Sequence, residues 1–458
     1  MRWKFCLAIC LILILLGCSS VETEAIPELE AIENDASLTI WWEKGFNVQE
    51  DEAFINLVKN WEKISNHSVK LSFYTTSELL EKAQRAAEMG KPPDLMMSYP
   101  ADLTLYPRLA WSGQLADVRE IVEKQKQEYS PQVLQAISYY NHAANKTSYY
   151  GVPVYQSTVH IFYWRRLLQE IGLTQADIPQ QWREFWLFWQ QAQSELNRQK
   201  GINIYAFGFP MSVGSTDTYL FFEHILAAHE VNIINPKGEL IINQPATRQK
   251  ILECLRWYSQ LYQQGFVPQD AIKWLNTDNN LNFLNRVVLM TPNATLSIPA
   301  GIREDTATYY QRMGMVNFPF TPTGQPMPYR TSIKQIVMFR AAENPQVAKK
   351  FLQYFIQPEV IASYLRQTGS RMLPVHKSVW QNPFWAKTTD LYLSQAREIF
   401  NSEQIHLHYT VYHPAYSQVL KQNVWGKALQ AIILEGKSPT VATDNAIAEI
   451  NRIFQNWE

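Results

Sequence analysis

The chain has 458 residues, of which 46% are apolar and 18% are charged, so it can bury a large core and is not disordered as a whole. Lys and Arg number 41 against 42 Asp and Glu, and this balance argues against nucleic-acid binding through phosphate neutralisation. The length predicts roughly two or three domains.

The first 20 residues predict export and a lipid anchor. Arg2 and Lys4 precede an apolar run over 5–16, which is too short to span a bilayer and is typical of a signal peptide. The sequence Leu15-Leu16-Gly17-Cys18 resembles the bacterial lipobox, so we expect residues 1–17 to be removed and Cys18 to be acylated. The alternative is an ordinary signal peptide with an incidental cysteine. Residues 18–36 are predicted to be a flexible tether.

Strands and helices alternate through the rest of the chain. The first three strands are separated by helices, and this order predicts a parallel sheet with crossover helices. Ser77 is a candidate N-cap for the second helix. The predicted strands cover 37–42, 69–74, 94–97, 151–154, 160–163, 205–209, 287–291 and 334–340, and the predicted helices cover 51–65, 77–88, 182–198, 246–264, 345–356 and most of 416–457.

Signatures of catalysis are absent from the sequence, which contains no Gly-x-Ser-x-Gly, His-Glu-x-x-His, Walker-A or Gly-x-Gly-x-x-Gly motif. His406, His408 and His413 make a zinc site conceivable, but carboxylates are sparse around them. A carboxylate pair for glycoside cleavage stays open, because the chain has 42 acidic residues.

The loops after predicted strands combine aromatic rings with carboxylates, amides or guanidinium groups. Open α/β sheets bind ligands at such strand ends, and sugars need apolar stacking together with planar hydrogen-bonding groups. Trp41 and Trp42 should point to opposite faces of their strand, so one of them is expected to be core. The loops are 41–45, 98–102, 155–157, 291–293 and 330–332.

These features resemble the extracellular solute-binding proteins of carbohydrate ABC transporters, the maltose-binding-like family. The resemblance covers about residues 38–458 and rests on the order of several short stretches. They are GKPPDLMM at 90–97, GQLAD at 113–117, YGVPV at 150–154, FYWRRLLQEIGL at 162–173, Pro179-x-x-Trp182-x-x-Phe185, FPFTP-x-G at 318–324, AKKFLQYF at 348–355 and LPVHKSV at 373–379.

The resemblance implies an α/β, two-lobed periplasmic-binding-protein fold of type II, with the ligand cleft between the lobes and three hinge crossovers. The crossovers are expected near 151–154, 323–329 and 371–375. The first lobe is then 36–152 plus 328–372, and the second is 153–327 plus 373–458.

The resemblance also implies a function. The protein would be a lipid-anchored monomer on the periplasmic side of a bacterial membrane or on the cell surface. It would capture a sugar or sugar-like compatible solute and deliver it to ABC permease subunits, without a cofactor, metal or catalysis. The alternatives are a secreted carbohydrate-active enzyme and a metal- or peptide-binding receptor on the same scaffold.

Candidate ligand contacts come from the strand-end loops and from the resemblance. One departure from the family is Asn293-Ala-Thr-Leu296, where many members carry a Trp, and the missing ring favours a smaller or different solute. At least two of Trp41, Trp42, Tyr99, Tyr155 and Tyr416 are expected to stack on sugar. The further candidates are Glu43, Lys44, Asp102, Gln156, Asp217, Tyr219, Asn293, Arg330, Arg371 and His413.

Overall fold

The computed structural model describes residues 38–457. The predicted signal peptide, the acylated Cys18 and the tether lie outside these residues, so the predictions about them stay predictions. Between residues 38 and 457, no helix has the length and apolarity needed to cross a membrane.

The strands belong to two larger sheets and one hairpin. They are β1 (Leu38–Glu43), β2 (Val69–Tyr74), β3 (Leu95–Met97), β4 (Ser138–Asn141), β5 (Lys146–Tyr149), β6 (Val152–Thr158), β7 (His160–Tyr163), β8 (Tyr205–Phe207), β9 (Val288–Asn293), β10 (Gly314–Val316), β11 (Tyr329–Met338), β12 (Leu373–Pro374) and β13 (Ile405–Leu407).

The helices connect these strands and cover the sheets. They are α1 (Val48–Ser65), α2 (Thr76–Glu88), α3 (Ala101–Thr104), α4 (Tyr106–Trp111), α5 (Arg119–Val122), α6 (Pro131–Ala136), α7 (Arg165–Glu170), α8 (Trp182–Lys200), α9 (Thr216–Ala228), α10 (Pro245–Gln263), α11 (Asp278–Leu284), α12 (Ser297–Gly301), α13 (Pro345–Phe355), α14 (Pro358–Gln367), α15 (Lys377–Gln381), α16 (Pro383–Ala386), α17 (Leu391–Phe400), α18 (Tyr416–Lys421), α19 (Val424–Ile433) and α20 (Pro439–Gln455). Short 3₁₀ or π turns cover Glu123–Glu128, Gln175–Asp177, Ala271–Lys273, Thr308–Arg312 and Tyr409–Val411.

The two larger sheets have no strand in common, and the chain passes from one to the other. The first sheet has the order β12-β6-β11-β3-β1-β2, with β13 beside β11, and the second has the order β10-β7-β9-β8. The predicted parallel pairing of β1 with β2 and β3 is confirmed. Only Val159 separates β6 in the first sheet from β7 in the second, and the chain crosses back between β10 and β11. The predicted lobe limits stay a prediction.

Capping residues fix the first elements. Asn47 caps α1, because its side-chain oxygen accepts a hydrogen bond from the backbone N of Glu50 at 3.1 Å. The predicted N-cap at Ser77 is wrong, since α2 starts earlier: Thr75 is the N-cap, and its backbone N donates to the Glu78 carboxylate at 3.1 Å. Strand β11 begins five residues before the predicted 334, because it pairs with both β6 and β13.

Most of the aromatic residues pack the core. In the second lobe Trp186 contacts the rings of Phe207, Phe209 and Trp257. On the first sheet Trp42 stacks on Phe54 with 3.5 Å between the ring centroids. The abundance of aromatic residues therefore mainly reflects core packing, and only a few of the rings are left for a ligand cleft.

Candidate functional site

A cavity of about 150 Å³ lies between the two sheets, where β1, β3 and β9 end. Groups from both lobes line it, and two hydrogen bonds cross it: Tyr99 Oη donates to the carbonyl oxygen of Ala294 at 3.3 Å, and Arg371 Nε donates to Thr295 Oγ1 at 3.3 Å. The cavity is lined by eight of the predicted residues: Trp42, Glu43, Lys44, Tyr99, Tyr155, Asp217, Asn293 and Arg371.

Glu43 holds the first-lobe wall of the cavity together. It is the last residue of β1, and its carboxylate accepts hydrogen bonds from Thr76 Oγ1 at 2.5 Å, Ser98 Oγ at 2.6 Å and the backbone N of Tyr99 at 2.7 Å. Burial raises the pKa of Glu43, and these three donors oppose that rise. One carboxylate therefore ties together the loops after β1, β2 and β3.

Arg371 is the central cation of the cavity. Its Nη1 lies 2.8 and 2.6 Å from the two carboxylate oxygens of Glu50, which is buried at the start of α1. Burial alone would lower the pKa of Arg371, but the Glu50 carboxylate holds that pKa above its ordinary value. Because Arg371 follows α14 and also reaches Thr295 in the second lobe, it connects both sides of the cleft.

Aromatic rings form part of the wall. Trp42, Tyr155 and Tyr364 line the cavity and are almost fully buried, whereas Tyr99 is half-buried. Lys334 Nζ lies 4.1 Å from the centroid of the Tyr99 ring, so this ring has a cation on one side. Trp41 lies on the opposite face of β1, where its ring contacts Tyr74.

The second-lobe wall contains polar groups with incomplete hydrogen bonding. Asp217, near the start of α9, is 8% exposed and receives one long hydrogen bond, 3.4 Å from Asn279 Nδ2. No cation forms an ion pair with Asp217 in residues 38–457, and burial raises its pKa to about 7. Asn280 donates to Ser297 Oγ at 3.0 Å, but its buried Oδ1 has no partner. Such atoms are available to a bound hydroxyl group.

Carboxylates outnumber cations around the cavity. A ligand would therefore meet acceptors and aromatic rings more often than cations. The lining carboxylates are Glu43, Glu50, Asp51 and Asp217, and the lining cations are Lys44 and Arg371.

Several lining residues were missed from the sequence. Asn276 and Asn280 belong to a run rich in amides, 276–282, and that composition was a usable signal. Glu50 lies in the first turn of α1, which the Asn47 cap places beside the loop after β1. Gly45 belongs to the predicted loop 41–45, and the missed residues are Phe46, Glu50, Asp51, Thr76, Met97, Thr216, Asn276, Thr277, Asn280, Ala294, Thr295, Ser297, Tyr364 and Met372.

The structure places seven predicted residues outside the cavity. Four have other surroundings: Trp41 packs beside Tyr74, Gln156 donates to the Pro374 carbonyl at 2.8 Å, Tyr219 is buried, and the His413 ring packs on Phe454. The remaining three are Asp102, Arg330 and Tyr416, and they belong to a buried polar cluster around β11.

We call this cluster the hinge network, because two of its members lie on the linking strand β11. Lys334 pairs with Asp102 at 2.9 Å, and Tyr416 Oη donates to Glu223 at 2.5 Å. Each of these groups is bonded inside the protein, and none is offered to the cavity. The network consists of three bonded groups: Lys334 with Asp102, Arg330 with Tyr409, and Glu223 with His408 and Tyr416.

The three histidines considered for zinc do not converge. His408 contacts Glu223, whereas His413 Nδ1 accepts from the backbone N of Ala415 at 3.1 Å. In the part of the chain that the structure describes, no group of three or more His, Cys, Asp or Glu side chains could hold a metal ion.

Comparison with known proteins gives a family match over most of the chain. Residues 56–392 match the model of the family described as "Bacterial extracellular solute-binding protein". The chain is 23% identical over 235 residues to YcjN of Escherichia coli (strain K12), which is named as a candidate ABC transporter periplasmic-binding protein. That match covers 51% of this chain and about half, 50%, of YcjN.

Solved structures of solute-binding proteins share the fold. A solute-binding protein of an ABC transporter from Thermotoga lettingae, bound with α-D-tagatose, has a TM-score of 0.75 at 19% identity, over 91% of this chain and 99% of the other. Maltose-bound MalE3 of T. maritima has a TM-score of 0.73 at 15% identity over 91% and 99%. UgpB of Mycobacterium tuberculosis, in complex with glycerophosphocholine, has a TM-score of 0.70 at 20% identity, over 92% of this chain and 98% of UgpB. The predicted two-lobed α/β fold is confirmed.

Proposed function

Because this chain belongs to the family of bacterial extracellular solute-binding proteins, we propose that it captures a neutral sugar or sugar-like solute between its lobes. It would deliver that solute to the permease of an ABC importer and catalyse no reaction on it. The observation that carries this proposal is the cavity itself, where aromatic rings of the first lobe and incompletely bonded polar atoms of the second lobe face one space.

The types of lining group support a polyol ligand. A sugar presents apolar C–H faces to aromatic rings and hydroxyl groups to carboxylates and amides. Tyr99 and Tyr155 offer rings, while Asp217 and Asn280 offer acceptor oxygens that the protein leaves wholly or largely unbonded.

The charges of the cavity support a neutral ligand over an anion. Arg371 is already neutralised by Glu50, and the only other lining cation among residues 38–457 is the exposed Lys44. A phosphate or carboxylate on the ligand would meet Asp217 without a free buried cation, and that arrangement is unfavourable.

The remaining parts of the proposal concern location and assembly. Acylation of Cys18 would hold the protein on the outer side of a membrane, and residues 18–36 would let it reach the permease. The protein would act as a monomer, with lobes at 36–152 plus 328–372 and at 153–327 plus 373–458. Ligand binding would favour the closed arrangement, since only that arrangement brings groups of both lobes to the same solute.

The test is a thermal-shift and calorimetric screen of the mature domain. The panel contains D-glucose, D-tagatose, maltose, glycerophosphocholine and glucose 6-phosphate. We expect a neutral sugar to stabilise the protein by about 2.7 kcal/mol at 100 times its Kd, and the phosphate to have no effect.

The Asp217→Ala variant should lose this stabilisation. The matched control is Asp177→Ala, which removes an exposed carboxylate outside the cavity and should keep it. Hydrolysis of a glycoside, or stabilisation by glucose 6-phosphate without stabilisation by any neutral sugar, would contradict the proposal.

A further inference from the structure

Phe46 lies at one end of the cavity, in the loop between β1 and α1. This loop is tightly held: the backbone N of Gly45 donates to Asp51 Oδ1 at 2.7 Å, and Asn47 caps the helix that follows. A Cβ atom on Gly45 would lie 2.5 Å from Cβ of Glu50, so the loop passes too close to α1 for a larger residue. These contacts hold the backbone from which the Phe46 side chain projects.

The ring of Phe46 meets the second lobe at a glycine. Gly301 ends α12, and a Cβ atom built there would lie 3.2 Å from Cε1 of Phe46. The absence of a side chain at 301 thus lets the ring rest against the opposite lobe. The Cζ atom of Arg371 lies 5.9 Å from the centroid of the same ring.

A second, larger cavity lies on the far side of this contact. Its volume is about 590 Å³, and Asn47, Gly301 and Ser370 are among its lining residues. Asn47 directly follows Phe46, and Ser370 directly precedes Arg371. Phe46 and Arg371 line the inner cavity. The two cavities are therefore neighbours along two chain segments. Phe46 lines the inner cavity, and its ring approaches Gly301, which lines the outer one.

We infer that Phe46 is a specificity-determining residue that limits the ligand to a single sugar ring, by closing the inner cavity where it would otherwise open into the outer one. The inner volume of about 150 Å³ is that of a cavity that holds one benzene molecule, so it is too small for two sugar rings. The outer cavity carries Arg303, Glu304 and Gln367, which would suit the hydroxyls of a second ring. This inference rests on the proposed function.

The experiment measures length preference by titration calorimetry with matched sugar pairs. The pairs are D-glucose with maltose and laminaribiose, D-mannose with mannobiose, and D-galactose with melibiose. The wild type should bind one monosaccharide at least tenfold more tightly than its disaccharides. Phe46→Ala should reduce or reverse this ratio by tenfold or more, since it joins the two cavities.

Phe384→Ala is the matched control. Phe384 lines the outer cavity without lining the inner one, so its removal enlarges the outer space and leaves the wall in place. We expect the ratio of the control to stay within twofold of the wild type.

The outcomes separate the two claims. Wild-type binding of disaccharides as tight as that of monosaccharides, or an unchanged ratio in Phe46→Ala, overturns the inference and leaves the proposed function standing. Failure of every sugar to bind the wild type removes both. If circular dichroism shows that Phe46→Ala is unfolded, Phe46→Leu decides: an intermediate ratio supports the inference, and an unchanged ratio overturns it.

Discussion

The cavity and the hinge network contain the same kinds of side chain, but they differ in how many of these side chains the protein itself satisfies. In the hinge network, Lys334 faces Asp102 at 2.9 Å, and Glu223 accepts a hydrogen bond from Tyr416. In the cavity, Asp217 has no ion-pair partner within residues 38–457, and the buried Oδ1 of Asn280 has no hydrogen bond.

This difference separates a structural role from a binding role. A buried carboxylate with a cation beside it stabilises the fold only as part of the pair, and it has little left to offer a ligand. A buried polar atom without a partner lowers the stability of the empty protein and gains its missing hydrogen bond when a solute enters. Partners, rather than residue type, therefore distinguish the two regions.

The largest expected effect is on the ion pair of the hinge network. Lys334→Met should lower the free energy of unfolding by about 3–5 kcal/mol, because it leaves Asp102 buried without its cation. Urea denaturation measures this change. The double variant Lys334→Met with Asp102→Leu should recover much of the loss, and a double variant as unstable as the single one would contradict the pair's role. Lys44→Met, at the exposed cavity cation, should be nearly neutral for stability.

The next effect is a pH dependence that originates in the cavity. The ordinary pKa of Asp217 is 3.8, and burial raises it to about 7 in the folded protein. Between about pH 4 and pH 7 the unfolded chain releases this proton while the folded one keeps it, so the free energy of unfolding falls as the pH rises, and the fall ends above pH 7.

The Asp217→Asn variant lacks this dependence. Between pH 4 and pH 8 the wild type should therefore lose up to about 4 kcal/mol of unfolding free energy relative to the variant, since each pKa unit corresponds to about 1.4 kcal/mol. Urea denaturation at a series of pH values measures it. The control is the exposed Asp177. Hydrogen bonds from Thr174 lower the pKa of this residue, so Asp177→Asn should show no such fall. If the difference in unfolding free energy between wild type and Asp217→Asn does not change with pH, the Asp217 carboxyl of the wild type is in contact with water.

A smaller effect is expected at Tyr416. Tyr416→Phe removes one donor to the buried Glu223 carboxylate and should lower the free energy of unfolding by about 1–3 kcal/mol. Because Tyr416 does not line the cavity, the Kd of the sugar found in the screen should stay the same. Calorimetry and chemical denaturation on the same sample test both statements, and a weakened Kd at unchanged stability would move Tyr416 into the binding site.

The smallest effect on the fold should come from the rings around the cavity. Tyr99→Leu should weaken ligand binding by roughly 1–3 kcal/mol with little change in melting temperature, as for a truncated binding hot spot. Trp41→Leu is the control, because this ring lies on the other face of β1 against Tyr74. Equal affinities for both variants would show that Tyr99 does not stack on the ligand.

Much of the first-lobe wall was predictable from the sequence. Glu43 ends β1 and Tyr99 lies two residues after β3, and the pattern of apolar residues marks both strand ends. The carboxyl ends of parallel strands meet at one edge of a sheet. The order of strands and helices likewise predicted the parallel part of the first sheet. Local periodicity was sufficient because each of these residues is positioned by the element directly before it.

The rest depends on contacts between distant parts of the chain. Glu50 and Arg371 are 321 positions apart, and nothing local in either segment indicates that they pair. Tyr416 and Arg330 have the residue types of a sugar site, but helix packing around β11 gives them protein partners instead. The long β11 was also underestimated, since its extra residues pair with β6 and β13.

The three hydrogen bonds that Glu43 accepts have a consequence for the entropy of binding. They join the loops after β1, β2 and β3 into one unit before any solute arrives. The conformational entropy of those loops is therefore lost when the first lobe folds, and ligand binding does not have to remove it a second time. Glu43→Gln would return that freedom to the unliganded protein, so the entropy change of binding should become less favourable even where the heat of the ligand contacts is unchanged.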